Sequence, residues 1–285
     1  PLFMAAQEGH TEIVKLLIDK GADVNPARLT GEAPLFIAAQ KGYAATAEVL
    51  LEAGADVNKS RATDGATPLW IAAFRGYKEI VSLLLKDSRV GVNQADDNGS
   101  TPLFIAAQED NAEAVAQLLA AEGVDVNQAN NNGETPLFMA AAYGHTEIVA
   151  QLLASEGVDV NQVDKYGVTP LYSAEYYGHT ETVQLLKSFA VMTLLLKGDL
   201  ESDIQCPISL ELLSIDGQFG KEPAYSTSGQ HLYTESGIKR VLGEKLSDLD
   251  PITRNSFTKK DLNNMENMIS DYFKERLLKV KEGIN

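Results

Sequence analysis

The chain is poor in the residues that build covalent and metal frameworks. Cys206 is its single cysteine, which excludes an intramolecular disulfide and suits a reducing compartment. Four histidines, His10, His145, His179 and His231, lie far apart in the sequence. The closely spaced Cys or His ligands of a structural zinc site are therefore missing. No apolar run approaches the roughly 18 residues of a membrane span; the longest candidate, Ala190 to Leu196, is far shorter. No signal peptide is found, and Pro1 falls inside a motif, so further sequence is expected before it. Basic residues are also scarce: 24 Lys and Arg stand against 40 Asp and Glu, a formal charge of −16. Residues 1–190 carry −13 of that charge and residues 191–285 carry −3. An acidic chain without a basic stripe is a poor fit for nucleic acid or anionic membrane and a better one for a basic protein surface.

What is present begins with a repeat. The 285 residues suffice for about two domains, and 44% hydrophobic with 22% charged residues is the balance of a folded chain. Pro-Leu followed by an aromatic recurs at Pro1, Pro34, Pro68, Pro102, Pro136 and Pro170, at intervals of 33, 34, 34, 34 and 34 residues. Asp-Val-Asn or Gly-Val-Asn closes five units, at Asn25, Asn58, Asn93, Asn127 and Asn161. This pattern, over residues 1 to about 189, resembles ankyrin repeats.

The chemistry of one unit agrees. Thr135 is placed to cap a helix that has Pro136 in its first turn, where no amide hydrogen bond is lost. Alanine pairs such as Ala140-Ala141 allow close helix approach, and Gly144-His145 turns the chain. Ile148, Val149, Leu152 and Leu153 form one apolar face of a second helix. A unit cannot bury that face alone, so stacking is required. Phe3, Phe36, Trp70, Phe104, Phe138 and Tyr172 stand where the family usually has histidine. They would be either a stacking ladder for a ligand or core contacts between repeats, and their fixed period favours core. Asn130-Asn131-Asn132-Gly133 reads as a turn tip, since Asn and Gly tolerate positive φ. The last unit loses its Asp-Val-Asn ending and continues through Phe189 to Leu196 as a capping helix.

In the family, the two residues before the Gly-His turn line the concave face. Here they are Gln7-Glu8, Gln40-Lys41, Phe74-Arg75, Gln108-Glu109, Ala142-Tyr143 and Tyr176-Tyr177. Tyr and Arg are frequent interface anchors, so Phe74, Arg75, Tyr143, Tyr176 and Tyr177 are the candidate substrate-binding residues.

Periodicity stops at Lys197-Gly198-Asp199. Beyond it come Ile204-Gln205-Cys206-Pro207-Ile208-Ser209-Leu210, Glu222-Pro223, Ser228 to Tyr233, Ile238 to Leu242 and Asp250-Pro251-Ile252-Thr253-Arg254. In this order and spacing the stretch resembles the U-box, the zinc-free relative of the RING domain in ubiquitin ligases. The resemblance implies a hairpin near Pro223–Tyr233, a helix through Leu242 and a final helix from about Asn264 to Val280. It also implies that Ile208, Leu210, Val241 and Pro251 face a ubiquitin-conjugating enzyme. Arg254 would fix the conjugating enzyme and ubiquitin in a reactive geometry, which is catalysis by positioning. Cys206 stands at the place of a RING zinc ligand. No nearby base would activate it as a nucleophile, so buried packing is its expected role. The pattern departs from the family at Val241, often Trp or His, and at Leu262-Asn263-Asn264, where Pro-Asn is common.

The expected fold is mostly α: an ankyrin solenoid (residues 1–189, about six repeats, the first truncated), a capping helix and linker (190–200), and a small α+β U-box domain (201–285). The expected function is a ubiquitin-protein ligase that holds its protein substrate on the repeats, with no metal or small cofactor. Its partners would be a conjugating enzyme and ubiquitin, in the cytoplasm or, for a bacterial effector, in a host cytosol. The alternative is a non-enzymatic scaffold with a degenerate U-box. A small-molecule enzyme in the repeats finds no paired carboxylates, triad or phosphate loop.

Overall fold

The computed structural model describes residues 1–26 and 28–196, with side chains as far as residue 189. The expectations for residues 201–285 lie outside the described residues. Two compact units divide the chain, Pro1–Val183 and Gln184–Asn285.

The first unit is a stack of helical pairs, and among the described residues it contains no strand. In chain order the pairs are α1 (Leu2–Gln7) with α2 (Thr11–Asp19), α3 (Pro34–Lys41) with α4 (Ala44–Glu52), and α5 (Pro68–Arg75) with α6 (Lys78–Leu85). There follow α7 (Pro102–Gln108) with α8 (Ala112–Leu119), α9 (Pro136–Tyr143) with α10 (Thr146–Ala154), and α11 (Pro170–Tyr177), after which α12 (Thr180–Leu196) begins in the first unit and runs beyond its end at Val183. The odd-numbered inner helices pack on one another in sequence, and so do the outer helices α2 to α10. Helix α12 runs to Leu196, the residue to which the capping helix was read from the sequence.

Local chemistry sets each pair. Thr67, Thr101, Thr135 and Thr169 accept the amide hydrogens of Trp70, Phe104, Phe138 and Tyr172 at 3.0–3.2 Å, and a proline occupies the first turn that follows. Such a cap is worth about 1 kcal/mol. At the other end of α9, Gly144 takes the left-handed conformation, φ 72°. Asp110 occupies the corresponding position after α7 and is the one non-glycine residue with positive φ, 58°, among those described. The alanine pairs of α3, α5, α7 and α9 are wholly buried, so the inner helices meet nearly backbone to backbone. Leu50, Leu84, Leu118 and Leu152 fill the core from the outer layer.

Polar bonds join one repeat to the next. Asn58, Asn93 and Asn127 donate through Nδ2 to the carbonyls of Arg89, Gly123 and Gly157, each at 2.7 Å. Their Oδ1 atoms accept from the amides of Gly91, Asp125 and Asp159 at 2.7–2.9 Å. In the last of the series, Asn161, Oδ1 is buried and has no hydrogen-bond partner among the described residues.

Between successive pairs the chain forms turn-tipped fingers. Adjacent fingers share single backbone bonds, such as the Lys165 amide to the Asn132 carbonyl at 2.8 Å. The Asn130–Gly133 segment is a turn as expected, with φ 80° at Gly133. Its asparagines do not use positive φ. Instead Asn130 Oδ1 accepts the amides of Asn132 and Glu134 at 2.9 and 3.0 Å.

The aromatic column is core in most repeats: Phe3, Phe36, Phe104 and Phe138 are buried, and Phe104 and Phe138 share one cluster. Trp70 is half-buried, its Nε1 donating to the Ser100 carbonyl at 3.0 Å. Tyr172 corrects the expectation. It is exposed, because α11 packs on α9 and no further inner helix follows it among the described residues.

Candidate functional site

The face shared by inner-helix ends and fingers carries the expected partner-binding residues, in two separate places. On α5, Trp70 and Phe74 stack with centroids 5.5 Å apart and planes 8° from parallel. The Arg75 guanidinium lies 5.2 Å from the Phe74 centroid. Residues four apart on a helix are neighbours, so this stack is assembled within one element, and Phe74 and Arg75 satisfy each other.

The second place lies between the fifth and sixth repeats. A groove of about 640 Å³ is lined by α9, α11 and the fingers that precede them. Tyr143, Tyr176 and Tyr177 line it, 54%, 73% and 62% exposed. Tyr176 and Tyr177 meet edge to face, centroids 5.1 Å apart and planes at 86°, while Tyr143 stacks on His145 at 5.8 Å. Phe74 and Arg75 are not part of this lining. Tyr172, Glu134 and Asp164 also line the groove, and sequence reasoning named none of the three as a site candidate. For Tyr172 the available signal was its place in the last repeat; for the carboxylates it was the charge counted repeat by repeat. Residues 1–101 hold 13 acidic and 10 basic residues, whereas residues 102–183 hold 12 acidic and one basic, Lys165.

The carboxylates are held by polar neighbours, with no cation paired to either among the described residues. Asp164 is buried, and its Oδ1 accepts the amides of Tyr166 and Val168 at 2.8 Å. Asn130 Nδ2 donates to Glu134 Oε2 at 2.7 Å.

The second repeat offers an instructive counterpart. By its backbone bonding across the finger, Arg61 holds the position that Asp164 holds in the fifth repeat. Its guanidinium lies 5.1 Å from the Phe36 centroid, reaches Glu32 at 3.8 Å and pairs with Asp64. The hydrogen bond between them holds Asp64 below the usual carboxylate range and Arg61 above its ordinary value. Arg28 lies likewise over Phe3, 4.8 Å from the centroid.

Two of the array's histidines serve the fold. His145 and His179 donate through Nε2 to the carbonyls of Gln108 and Ala142, at 3.1 and 2.9 Å. A carbonyl only accepts, so the hydrogen sits on Nε2. Asp110 reaches Nδ1 of His145 at 3.4 Å. Among the described residues no group of three His, Cys, Asp or Glu is arranged to hold a metal, and no helix is long and apolar enough to cross a membrane. Ile208, Leu210, Val241, Pro251 and Arg254 lie outside the described residues.

The family model for ankyrin repeats matches three times, over residues 1–61, 58–130 and 103–194. The chain belongs to the ankyrin-repeat family, whose stacked units are protein-interaction modules. Similar solved structures include an ankyrin repeat domain from Acinetobacter baumannii AYE, at 33% identity and TM-score 0.62, covering 67% of this chain and 97% of that one. EF0377, an ankyrin repeat protein, is 29% identical with TM-score 0.61, covering 65% and 95%. The ankyrin repeat domain of human ASB11 is 31% identical with TM-score 0.57, covering 66% and 83%. No protein of curated function matches the chain.

Proposed function

We propose that this chain is a ubiquitin-protein ligase, in which residues 201–285 recruit a ubiquitin-conjugating enzyme and the ankyrin array holds the protein to be modified. The observation that carries the proposal is the ordered motif set from Ile204 to Arg254, present with one cysteine and without a zinc ligand set. Membership of a family of protein-interaction modules supports the substrate-holding half. In this reading a substrate lysine attacks the thioester carbonyl on the conjugating enzyme. The carbon–sulfur bond breaks, the enzyme's thiolate leaves, the amine gives up its proton and an isopeptide bond forms. Arg254 orients the thioester and no bond forms to the ligase. Consumption of ubiquitin places the action in a eukaryotic cytosol, the cell's own or a host's.

Val241 and Leu262-Asn263-Asn264 depart from the U-box pattern and favour one second reading, an adaptor whose C-terminal domain only docks.

The test is titration of the full chain against a panel of conjugating enzymes. At least one binds the parent, Ile208→Ala and Pro251→Ala lose that binding with the fold intact by circular dichroism, and Arg254→Ala binds but transfers ubiquitin more slowly. A folded parent that binds none of the panel overturns the ligase reading and leaves the adaptor.

A further inference from the structure

The second and fifth repeats place the same aromatic ring beside side chains of opposite charge. In the second repeat, Arg61 lies over Phe36 and reaches Glu32, the residue two before Pro34. In the fifth repeat the ring is Phe138, the residue two before Pro136 is Glu134, and the arginine position is Asp164. Acid and ring are kept, and the internal cation is replaced by a second acid. The space it vacates is the groove between repeats five and six, walled by Tyr143, Tyr172, Tyr176 and Tyr177.

We infer that this groove takes a lysine or arginine side chain from a basic segment of a protein partner, which supplies the cation that Arg61 supplies internally three repeats earlier. Aromatic faces attract cations through their quadrupole, most strongly where water is excluded. Glu134 and Asp164 face the groove with no cation paired to them among the described residues, so an incoming ammonium or guanidinium meets two carboxylates and several ring faces together. The surroundings favour the same occupant. Residues 102–183 carry 12 acidic residues against one basic, and that one, Lys165, is engaged with the Tyr166 ring at 5.1 Å and with Asn132 Oδ1 at 2.6 Å. A field of this sign steers basic segments toward the groove and weakens with salt. The perpendicular Tyr176–Tyr177 pair is in place before any ligand arrives, which lowers the ordering cost of binding.

This inference rests on the reading that the array holds the ligase's substrate, and it can fail separately. The full chain is titrated with a fluorescent peptide of alternating arginine and serine, followed by anisotropy, with a glutamate–serine peptide as counterpart. The arginine peptide binds and the glutamate peptide does not. Glu134→Gln, which keeps the acceptor for Asn130, weakens binding about tenfold, as does Tyr176→Ala. Glu147→Gln removes the same charge from the exposed face of α10 and leaves binding within about twofold, since screening blunts distant charges. Asp164→Arg restores the internal cation and abolishes binding in a folded chain. Equal binding of both peptides, or equal loss in Glu147→Gln and Glu134→Gln, overturns the inference. Autoubiquitination is measured on the same samples. An active ligase that ignores the arginine peptide overturns the groove alone, while an inactive chain that binds it through Glu134 and Tyr176 overturns the ligase reading alone.

Discussion

Asn127 and Asp159 bind the fourth repeat to the fifth: Asn127 Oδ1 accepts the Asp159 amide at 2.8 Å while its Nδ2 donates to the Gly157 carbonyl at 2.7 Å. One side chain satisfies a donor and an acceptor of the neighbouring turn, and the same arrangement recurs from Asn58 and Asn93. In a solenoid, stability is a sum of weak units and the interfaces between them. These amides are part of the interface.

Asn127→Ala removes both bonds at an exposed turn where water can replace them. The expected cost is about 1 kcal/mol, read as a lower urea midpoint at unchanged slope. Asn161→Ala, whose Oδ1 has no partner among the described residues, is expected to cost less. Equal losses would show that the side chains act within their own turns and not between repeats.

Gly144 and Gly178 share positive φ, 72° and 76°, but differ in what surrounds them. A Cβ at Gly144 would lie 2.5 Å from His179 Nδ1, whereas at Gly178 nothing lies within 4 Å. Gly178→Ala should therefore cost only the backbone strain, about 1 kcal/mol. Gly144→Ala should cost about a further 1 kcal/mol or more, because it displaces the ring whose Nε2 donates to the Ala142 carbonyl. Thermal denaturation of the two variants checks the order.

The Arg61–Asp64 pair predicts a pH dependence. Its hydrogen bond lowers the Asp64 pKa in the folded chain. A depressed folded-state pKa contributes stability that is complete above the ordinary carboxylate value, about 4, and is lost as pH falls through the lowered one. Parent should exceed Asp64→Asn in stability at neutral pH, and the gap should close on acidification below about pH 4. Because the pair is partly exposed, added salt should narrow the gap at neutral pH too. A gap independent of pH would assign the loss to the turn that Asp64 Oδ1 makes with the Ala66 amide.

Much of this architecture was legible before any coordinates. Period, threonine caps, first-turn prolines and alanine pairs act within a few residues, so their chemistry is local and reads directly from the chain. The asparagine bonds were not legible, because their partners lie 30 to 33 residues away in Arg89, Gly91 and their equivalents. Tyr172 misled because its motif is that of Phe138, while burial depends on what packs against it. Among the groove-lining residues, Tyr143, Tyr176 and Tyr177 followed from their place before the turn. Glu134 and Asp164 did not, since a finger carboxylate gains meaning only beside its arginine counterpart at 61. Asp110 in place of the turn glycine gave no sequence signal of the His145 contact it makes one repeat on.

The central claim joins a substrate-holding array to a ubiquitin-transferring domain, and autoubiquitination tests it most directly. The full chain is assayed with a panel of conjugating enzymes beside Ile208→Ala. The account predicts ubiquitin chains on the parent with at least one enzyme of the panel and none on the variant, both proteins being folded. A folded parent that stays unmodified across the panel, or a variant as active as the parent, would contradict it.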